Sequence, residues 1–482
     1  MGHQRFDIRH WKIDLDFARP GICDAWRARD ICHWRLKCLL FIFIPVLLSS
    51  CAPTSVNLQP QINSLIVADK PQKALKVLES YPQGYGRNDE LLYLFDKALV
   101  LHLAQKYEES ISAFEQVKLK FDELYMRSLT KGAATWLIND YTDAYHGEDF
   151  EHVLVNIFQA LNFAVLNNFS EALVEARDVD SKLNVINSQY ASDQKNAYKE
   201  DAFARFLMGV LYEANRSAED YNDAFISYRK AVEAYESDYA THYNLPVPPI
   251  LKENLLSAAR WMGEEEFSKY RSQYPAAPFR SLEEKRTKAQ VYLIQYNGLS
   301  PLKIQSSLPI PLPDGFITKL AFPRYEERFS EIGSSQVVAY DAAGRSVQSE
   351  SQLAQDIARI AMKNLENRRF RVMAKAAARP AGKYFLEKTT ERTIRKKYGE
   401  DPALGFKIAS GLFNLVSEQA DLRSWQTLPS EIRVARLILE PGRYDLFLDN
   451  FDRDHVLMER LSLGKIEIKA GDTKFLIVRT VR

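Results

Sequence analysis

The chain is predicted to be α+β, with an N-terminal tetratricopeptide-like α-solenoid followed by a small antiparallel β-sandwich-like domain that carries a helical insertion. Three observations predict this. Residues 58–275 read as helix, with Gly and Pro confined to joints. Within that stretch one order of small and aromatic residues returns several times. From about residue 286 short runs of β-branched and aromatic residues alternate with turn signals. The 482 residues exceed one compact core, and 46% hydrophobic with 26% charged residues is the balance of a globular protein. A net charge of +1 gives no global attraction to nucleic acid.

The N-terminal segment reads as an export signal and not as part of the fold. Arg35 and Lys37 precede an apolar run from Leu39 to Leu48, closed by Ser49-Ser50-Cys51. A core of about ten apolar residues suits a signal peptide and falls short of the ~20 needed to span a bilayer. The ending resembles a lipobox, in which the thiol takes a diacylglycerol and the protease cuts before it. Cys51 is therefore expected to be lipidated, since several acyl chains anchor where one cannot. The other cysteines, Cys23, Cys32 and Cys38, all precede it, so the exported part holds no pair for a disulfide. Residues 1–50 are expected to be the signal peptide with a mis-assigned N-terminal extension, and 51–57 a lipidated linker. Ala52, where an aspartate often marks inner-membrane retention, favours the outer membrane.

Residues 58–285 are expected to form the helical repeat domain. Leu94–Leu101 followed by Lys106–Phe114 resembles one tetratricopeptide unit. The order recurs at Ala160, Phe163, Phe169, Ala172 and Ala176, and again at Gly209, Tyr212, Tyr221, Ala224, Tyr228 and Ala231. A partial unit surrounds Ala74 and Leu78, and Lys118–Gly147 inserts an unmatched helix. Small residues suit the close crossing of two helices in a hairpin, and aromatics fill the gap to the next hairpin. Such repeats bind extended segments along the inner face of their first helices. The candidate groove is Phe95, Leu99 and His102, then Ile157, Leu161 and Ala164, then Phe206, Val210 and Glu213. Its apolar character leaves two alternatives: it takes a hydrophobic segment of a partner, or this chain fills it.

Residues 286–482 are expected to be β-rich. Strands are predicted at Val291–Tyr296, Ile317–Pro323, Gln336–Tyr340, Arg433–Leu439, Tyr444–Leu448, Lys465–Lys469 and Lys474–Arg479. Pro441-Gly442 and Gly471-Asp472 read as hairpin turns. The helical insertion spans about 352–418, with a break at Arg379-Pro380.

Several segments together are similar to a proteobacterial family of lipoproteins with tetratricopeptide-like (TPR) repeats and a C-terminal β-rich domain. They are the lipobox, Tyr145–Phe150 leading into Ala160-Leu161-Asn162, Glu171–Arg177, Pro248–Asn254, Asn297–Pro301, and Asp421–Trp425 running to Leu428-Pro429. The resemblance spans most of the chain after Cys51. It implies an envelope lipoprotein and brings no catalytic residues, because the family is recognised by architecture and not by chemistry.

The residues themselves supply no enzyme motif: phosphate loop, dinucleotide glycine set, nucleophile elbow and Cys-x-x-Cys are all missing. His146 and His152, among Glu148, Asp149 and Glu151, fit no metal-ligand spacing. Neither a catalytic residue, a metal nor a cofactor is expected. Glu108-Glu109 and Glu264-Glu265-Glu266 sit at helix starts, where the dipole favours them. A basic stretch with interleaved apolar residues is the remaining candidate site: Arg368, Arg369, Arg371, Lys375, Arg392, Arg395, Lys396 and Lys397. It suits anionic lipid or an acidic protein, against the plainer alternative of a solvated helix face.

The expected protein is a non-enzymatic scaffold, lipid-anchored to the outer membrane and facing the periplasm, whose groove meets an envelope protein. Nucleic acid is not an expected partner. The alternatives are a regulator or assembly factor of peptidoglycan or outer-membrane machinery, with cell-wall glycan as ligand, and a hydrolase assembled from dispersed residues.

Overall fold

A computed structural model of the protein describes residues 58–130, 143–188, 198–312 and 317–482. It is α+β, with helices first and strands mainly after residue 288. Among the described residues the main helices before the first strand are α1 Gln59–Val67, α2 Pro71–Ser80, α3 Glu90–Leu103, α4 Tyr107–Thr130, α5 Asp149–Val165, α6 Phe169–Ser188, α7 Ala202–Asn215, α8 Ala218–Ala234, α9 Pro249–Met262 and α10 Glu264–Gln273, with a single helical turn Ala240–Tyr243 between α8 and α9. A short α11, Leu282–Thr287, leads into the sheets.

Local sequence sets the helix ends. Asp201 caps α7 by accepting the Ala204 N–H at 2.6 Å, and Ser217 with Asp220 forms a reciprocal capping box on α8 at 3.0 Å in each direction. The helices pair consecutively, and three of the pairs close by one turn. Asp69, Gln105 and Asn167 each take a left-handed backbone, with φ of 52°, 60° and 59°. Beyond each, an N–H returns five residues: Lys70 to Leu65, Lys106 to Leu101 and Asn168 to Phe163, at 2.9, 3.0 and 2.9 Å. These bonds satisfy carbonyls that a helix end leaves unpaired. The helix expected within Lys118–Gly147 falls partly on 131–142, outside the described residues; up to Thr130 it is simply a continuation of α4.

Among the described residues ten strands follow: β1 Ala289–Asn297, β2 Leu302–Pro311, β3 Ile317–Glu326, β4 Ser334–Asp341, β5 Ser346–Glu350, β6 Gln352–Asp356, β7 Glu431–Leu439, β8 Gly442–Phe451, β9 Leu457–Ile468 and β10 Thr473–Thr480. They make one sheet in the order β10-β1-β7-β6, a second in the order β5-β4-β8-β9, and a β2–β3 ribbon. The second sheet is antiparallel throughout. The first is mixed, because β1 and β10 run parallel with Tyr292 opposite Phe475. The expectation of a purely antiparallel sandwich is corrected on that point.

Two turn expectations are corrected with it. Pro441-Gly442 joins β7 to β8 and Gly471-Asp472 joins β9 to β10, yet each pair of strands lies in different sheets. Both are crossings between layers. Alternating burial reveals a strand's buried face but not its neighbour. The proline-bearing β2, at Pro309 and Pro311, was not expected as a strand; a two-stranded ribbon has free edges that tolerate missing N–H donors.

Strand β1 shows how the layers join. All nine of its residues are buried. Ala289, Val291 and Leu293 pack with Ala435, Leu437 and Leu439 of β7 against Val337, Ala339, Leu446 and Leu448 of the second sheet. Tyr292, Ile294 and Tyr296 point the other way, into one hydrophobic core shared with the helices. The secondary structure changes at residue 286 but the core does not, and all described residues belong to one compact unit.

Between β6 and β7 come α12, Ile357–Tyr398, and α13, Glu400–Ser417. The break expected at Arg379-Pro380 is absent, because α12 runs through Pro380. A proline there removes one backbone hydrogen bond, and burial of Ala376 and Pro380 holds the helix together.

Candidate functional site

The inner face of the helical region is occupied by the chain itself. Phe95, Leu99, His102, Ile157, Leu161, Ala164, Phe206, Val210 and Glu213 are all buried. A groove open to a partner is corrected here: of the two alternatives, self-filling is the one the structure contains. Two segments do the filling, the first sheet and a strap of residues 419–430 that leads from α13 into β7.

The strap is fixed along its length. Trp425 lies flat on Phe95, with ring centroids 4.3 Å apart and an interplanar angle of 11°, and meets Phe158 edge-on at 5.8 Å. Its backbone N–H donates to Glu151 Oε1 at 2.7 Å. Gln59 Nε2 donates to the Ser424 carbonyl at 3.1 Å, and Thr427 Oγ1 to Asp96 Oδ1 at 2.6 Å. Arg423 reaches Asp89 at 3.0 Å, the Asp143 carbonyl at 2.9 Å, and Asp421 at 2.8 Å. Such charge-assisted bonds are the strong class, and Arg423, braced by Asp421 within the strap, ties it to two points of the helical region, Asp89 and Asp143.

Several acids here are held away from water. Burial lifts Asp96 to about 6, against the pull of Thr427 and Tyr85. Burial likewise lifts Glu151 to about 7, opposed by the Lys303 charge and the Trp425 N–H. Tyr145 adds a donated hydrogen bond to Glu151 Oε2 at 2.7 Å. Desolvation of the carboxylate is the dominant effect in both.

His102 sits at the centre of the sheet contact. Its Nδ1 lies 2.5 Å from Asn162 Oδ1, and its Nε2 3.0 Å from the Tyr296 hydroxyl. Asn162 Nδ2 is donated to Ser110, so Oδ1 accepts, Nδ1 carries the proton, and Tyr296 donates to Nε2. Burial pushes this imidazole down to about 4, so it is neutral.

A second buried network joins α7, α9, α11 and the first sheet. Lys285 is 3.2 Å from Glu213, to which Gln290 and Tyr228 also donate, each at 3.0 Å. Arg436 pairs with Glu253 at 2.7 Å. Burial alone would raise Glu213, but the Lys285 charge and the Gln290 bond leave it below the usual carboxylate range. Two cations face two carboxylates, the arrangement that makes buried charge tolerable. These groups join secondary-structure layers to one another.

The histidine pair near the start of α5 has a structural use. His152 Nε2 donates to the His146 carbonyl at 2.8 Å, and its ring stacks on Phe121 at 3.6 Å. Burial drives it down to about 3.

The basic stretch is divided by the fold. Arg368 is ion-paired with Glu148, which Lys303 also meets. The side chains of Arg371 and Lys375 lie outside the described residues. Arg369 is exposed beside an apolar cavity of about 340 Å³ between β3 and α12, lined by Phe322, Tyr325, Met362, Leu365 and Met373. Arg395 contacts Glu391 at 2.7 Å and Glu400 at 3.2 Å. Arg392, Lys396 and Lys397 are exposed near the end of α12. Cys51 and the apolar run before it lie outside the described residues. Among the described residues no helix is long and apolar enough to cross a membrane.

Sequence reasoning found the inner face but missed its occupant. The available signal was Trp425, a large aromatic in a segment with neither helical nor strand periodicity. Compared with protein-family models and with curated proteins, the sequence matches none.

Proposed function

We propose that the protein is an exported lipoprotein, acylated at Cys51, whose tetratricopeptide-like body serves as a rigid, non-enzymatic scaffold in the cell envelope and meets its partners on its outer surface. The anchoring half rests on the apolar run Leu39–Leu48 closed by Ser49-Ser50-Cys51. Outer-membrane placement rests on Ala52.

The observation that carries the scaffold reading is the strap. With Trp425 seated on Phe95 and Arg423 tied to Asp89, the helical region is locked to the sheets and its inner face is spent on rigidity. The buried acids and bases serve the same joint. The repeat reading is supported by the three identical hairpin turns at Asp69, Gln105 and Asn167. It is supported again by Gly209, where a side chain would run into the Tyr228 ring.

The experiment is mass analysis of the N-terminus of membrane-extracted protein, paired with in vivo crosslinking. A mature chain beginning at an acylated Cys51, lost in Cys51→Ser, is the expected result. An unprocessed N-terminus on cytosolic protein overturns the anchoring. For the scaffold half, the expected result is a partner crosslinked from the exposed surface of the wild-type protein.

A further inference from the structure

The helices α12 and α13 form a hairpin turning at Gly399, whose φ of 94° reverses the chain between them. Its surface carries several exposed large apolar side chains. Phe385 is 70% exposed, Leu386 64%, Tyr398 63%, Leu404 58% and Ile408 47%. Leu404 and Ile408 are four residues apart on α13, with Gly405 and Ala409 exposed beside them, so they form one apolar ridge. On α12 the exposed positions Phe385, Leu386, Thr389, Arg392, Thr393, Lys396 and Lys397 follow the helical repeat, apolar first and cationic towards the turn.

The charge at this end is unbalanced. Glu391 and Glu400 are taken by Arg395, and Glu391 also by Lys388 at 3.2 Å. Asp401 is the remaining exposed acid of the turn, against Arg392, Lys396 and Lys397, which make no ion pair among the described residues. Clustered exposed apolar residues mark an interaction surface. Long cationic side chains beside exposed Phe, Leu and Tyr fit an interface that is apolar below and anionic above. Neither helix is apolar enough to cross a membrane, so contact is interfacial.

We propose that the α12–α13 hairpin docks on the surface of a phospholipid bilayer bearing anionic headgroups, with Phe385, Leu386, Leu404 and Ile408 at the acyl boundary and Arg392, Lys396 and Lys397 on the phosphates. This contact is separate from the acyl tether, and its test uses protein without Cys51, so the two stand or fall independently.

The test is co-sedimentation of Pro53–Arg482, the compact unit that lacks Cys51, with large vesicles of phosphatidylcholine alone or mixed with phosphatidylglycerol. The protein is expected to bind the mixed vesicles at least tenfold more tightly, and added salt to weaken binding. Replacing all three cations, R392Q/K396Q/K397Q, is expected to lower partitioning on the order of a hundredfold, since each cation contributes about fivefold near an anionic surface. Phe385→Glu with Leu404→Glu should abolish it, with circular dichroism unchanged because both side chains already face solvent. Equal recovery in the supernatant with both vesicle types overturns the proposal. So does binding that survives the triple substitution, or a protein partner captured by this surface in the absence of vesicle binding.

Discussion

Replacing Trp425 by Ala tests whether the strap joins the two regions. The side chain is buried and rests on Phe95, with Phe114 and Phe158 at its edges. A buried tryptophan removes roughly 200 Å² from water, and at about 25 cal/mol per Å² that is about 5 kcal/mol. Alanine retains a small part of this, and the cavity it leaves adds a cost, which is why buried Trp→Ala changes cost about 3–5 kcal/mol. One effect opposes the loss. Trp425 Nε1 is buried without a hydrogen-bond partner among the described residues, and removing an unpaired donor relieves about 1–3 kcal/mol. The expected net destabilisation is therefore about 2 kcal/mol. Trp425→Phe should cost less than half as much, because it keeps the stacking and sheds the unpaired N–H. Equilibrium unfolding in urea, followed by far-ultraviolet circular dichroism, measures both and avoids the fluorescence of the residue removed. A double-mutant cycle with Phe95→Ala should give a coupling of about 0.5–1.5 kcal/mol for the stacked pair. A loss below 1 kcal/mol with strict additivity would refute the reasoning, because the strap would then be an ornament on a self-sufficient helical core.

Two further outcomes follow from the same interior. Gly209→Ala places a methyl group against the buried Tyr228 ring, so a loss of about 1–3 kcal/mol is expected from overpacking, and a neutral result by thermal unfolding would remove that crossing as a repeat feature. His102 is held at about 4 in the folded state, below the 6.5 of an exposed imidazole, so between these values the unfolded chain binds more protons and stability rises with pH. The advantage of the wild type over His102→Gln should grow by about 3 kcal/mol from pH 4 to 6.5 and level off above it; a flat difference across that window would show the imidazole to be solvated.

How much of this was legible depends on whether the signal is local. Helix ends at Asp201 and Ser217 are set by capping residues three positions from their partners, a local signal. Strands β7, β8 and β10 match the runs expected at Arg433–Leu439, Tyr444–Leu448 and Lys474–Arg479, while only the end of β9 was expected, at Lys465–Lys469. The contacts of the histidines, Asn162 for His102 and Phe121 for His152, involve residues distant in the chain. The basic stretch read as one patch because its residues are adjacent in sequence. The fold divides it, sending Arg368 inward to Glu148 while Lys396 and Lys397 stay in solvent.

By itself the sequence determined that this chain is helical and then β-rich, that residues 52–482 contain no cysteine, and that its inner helical face is mostly apolar. Those follow from periodicity and composition, which act over a few residues. Only the tertiary structure decided what covers that face, which strands are neighbours, and that Pro441-Gly442 and Gly471-Asp472 cross between sheets. The reason is that an apolar surface specifies the need for burial without naming the partner. Here the partner is a tryptophan 330 residues further along the chain from Phe95.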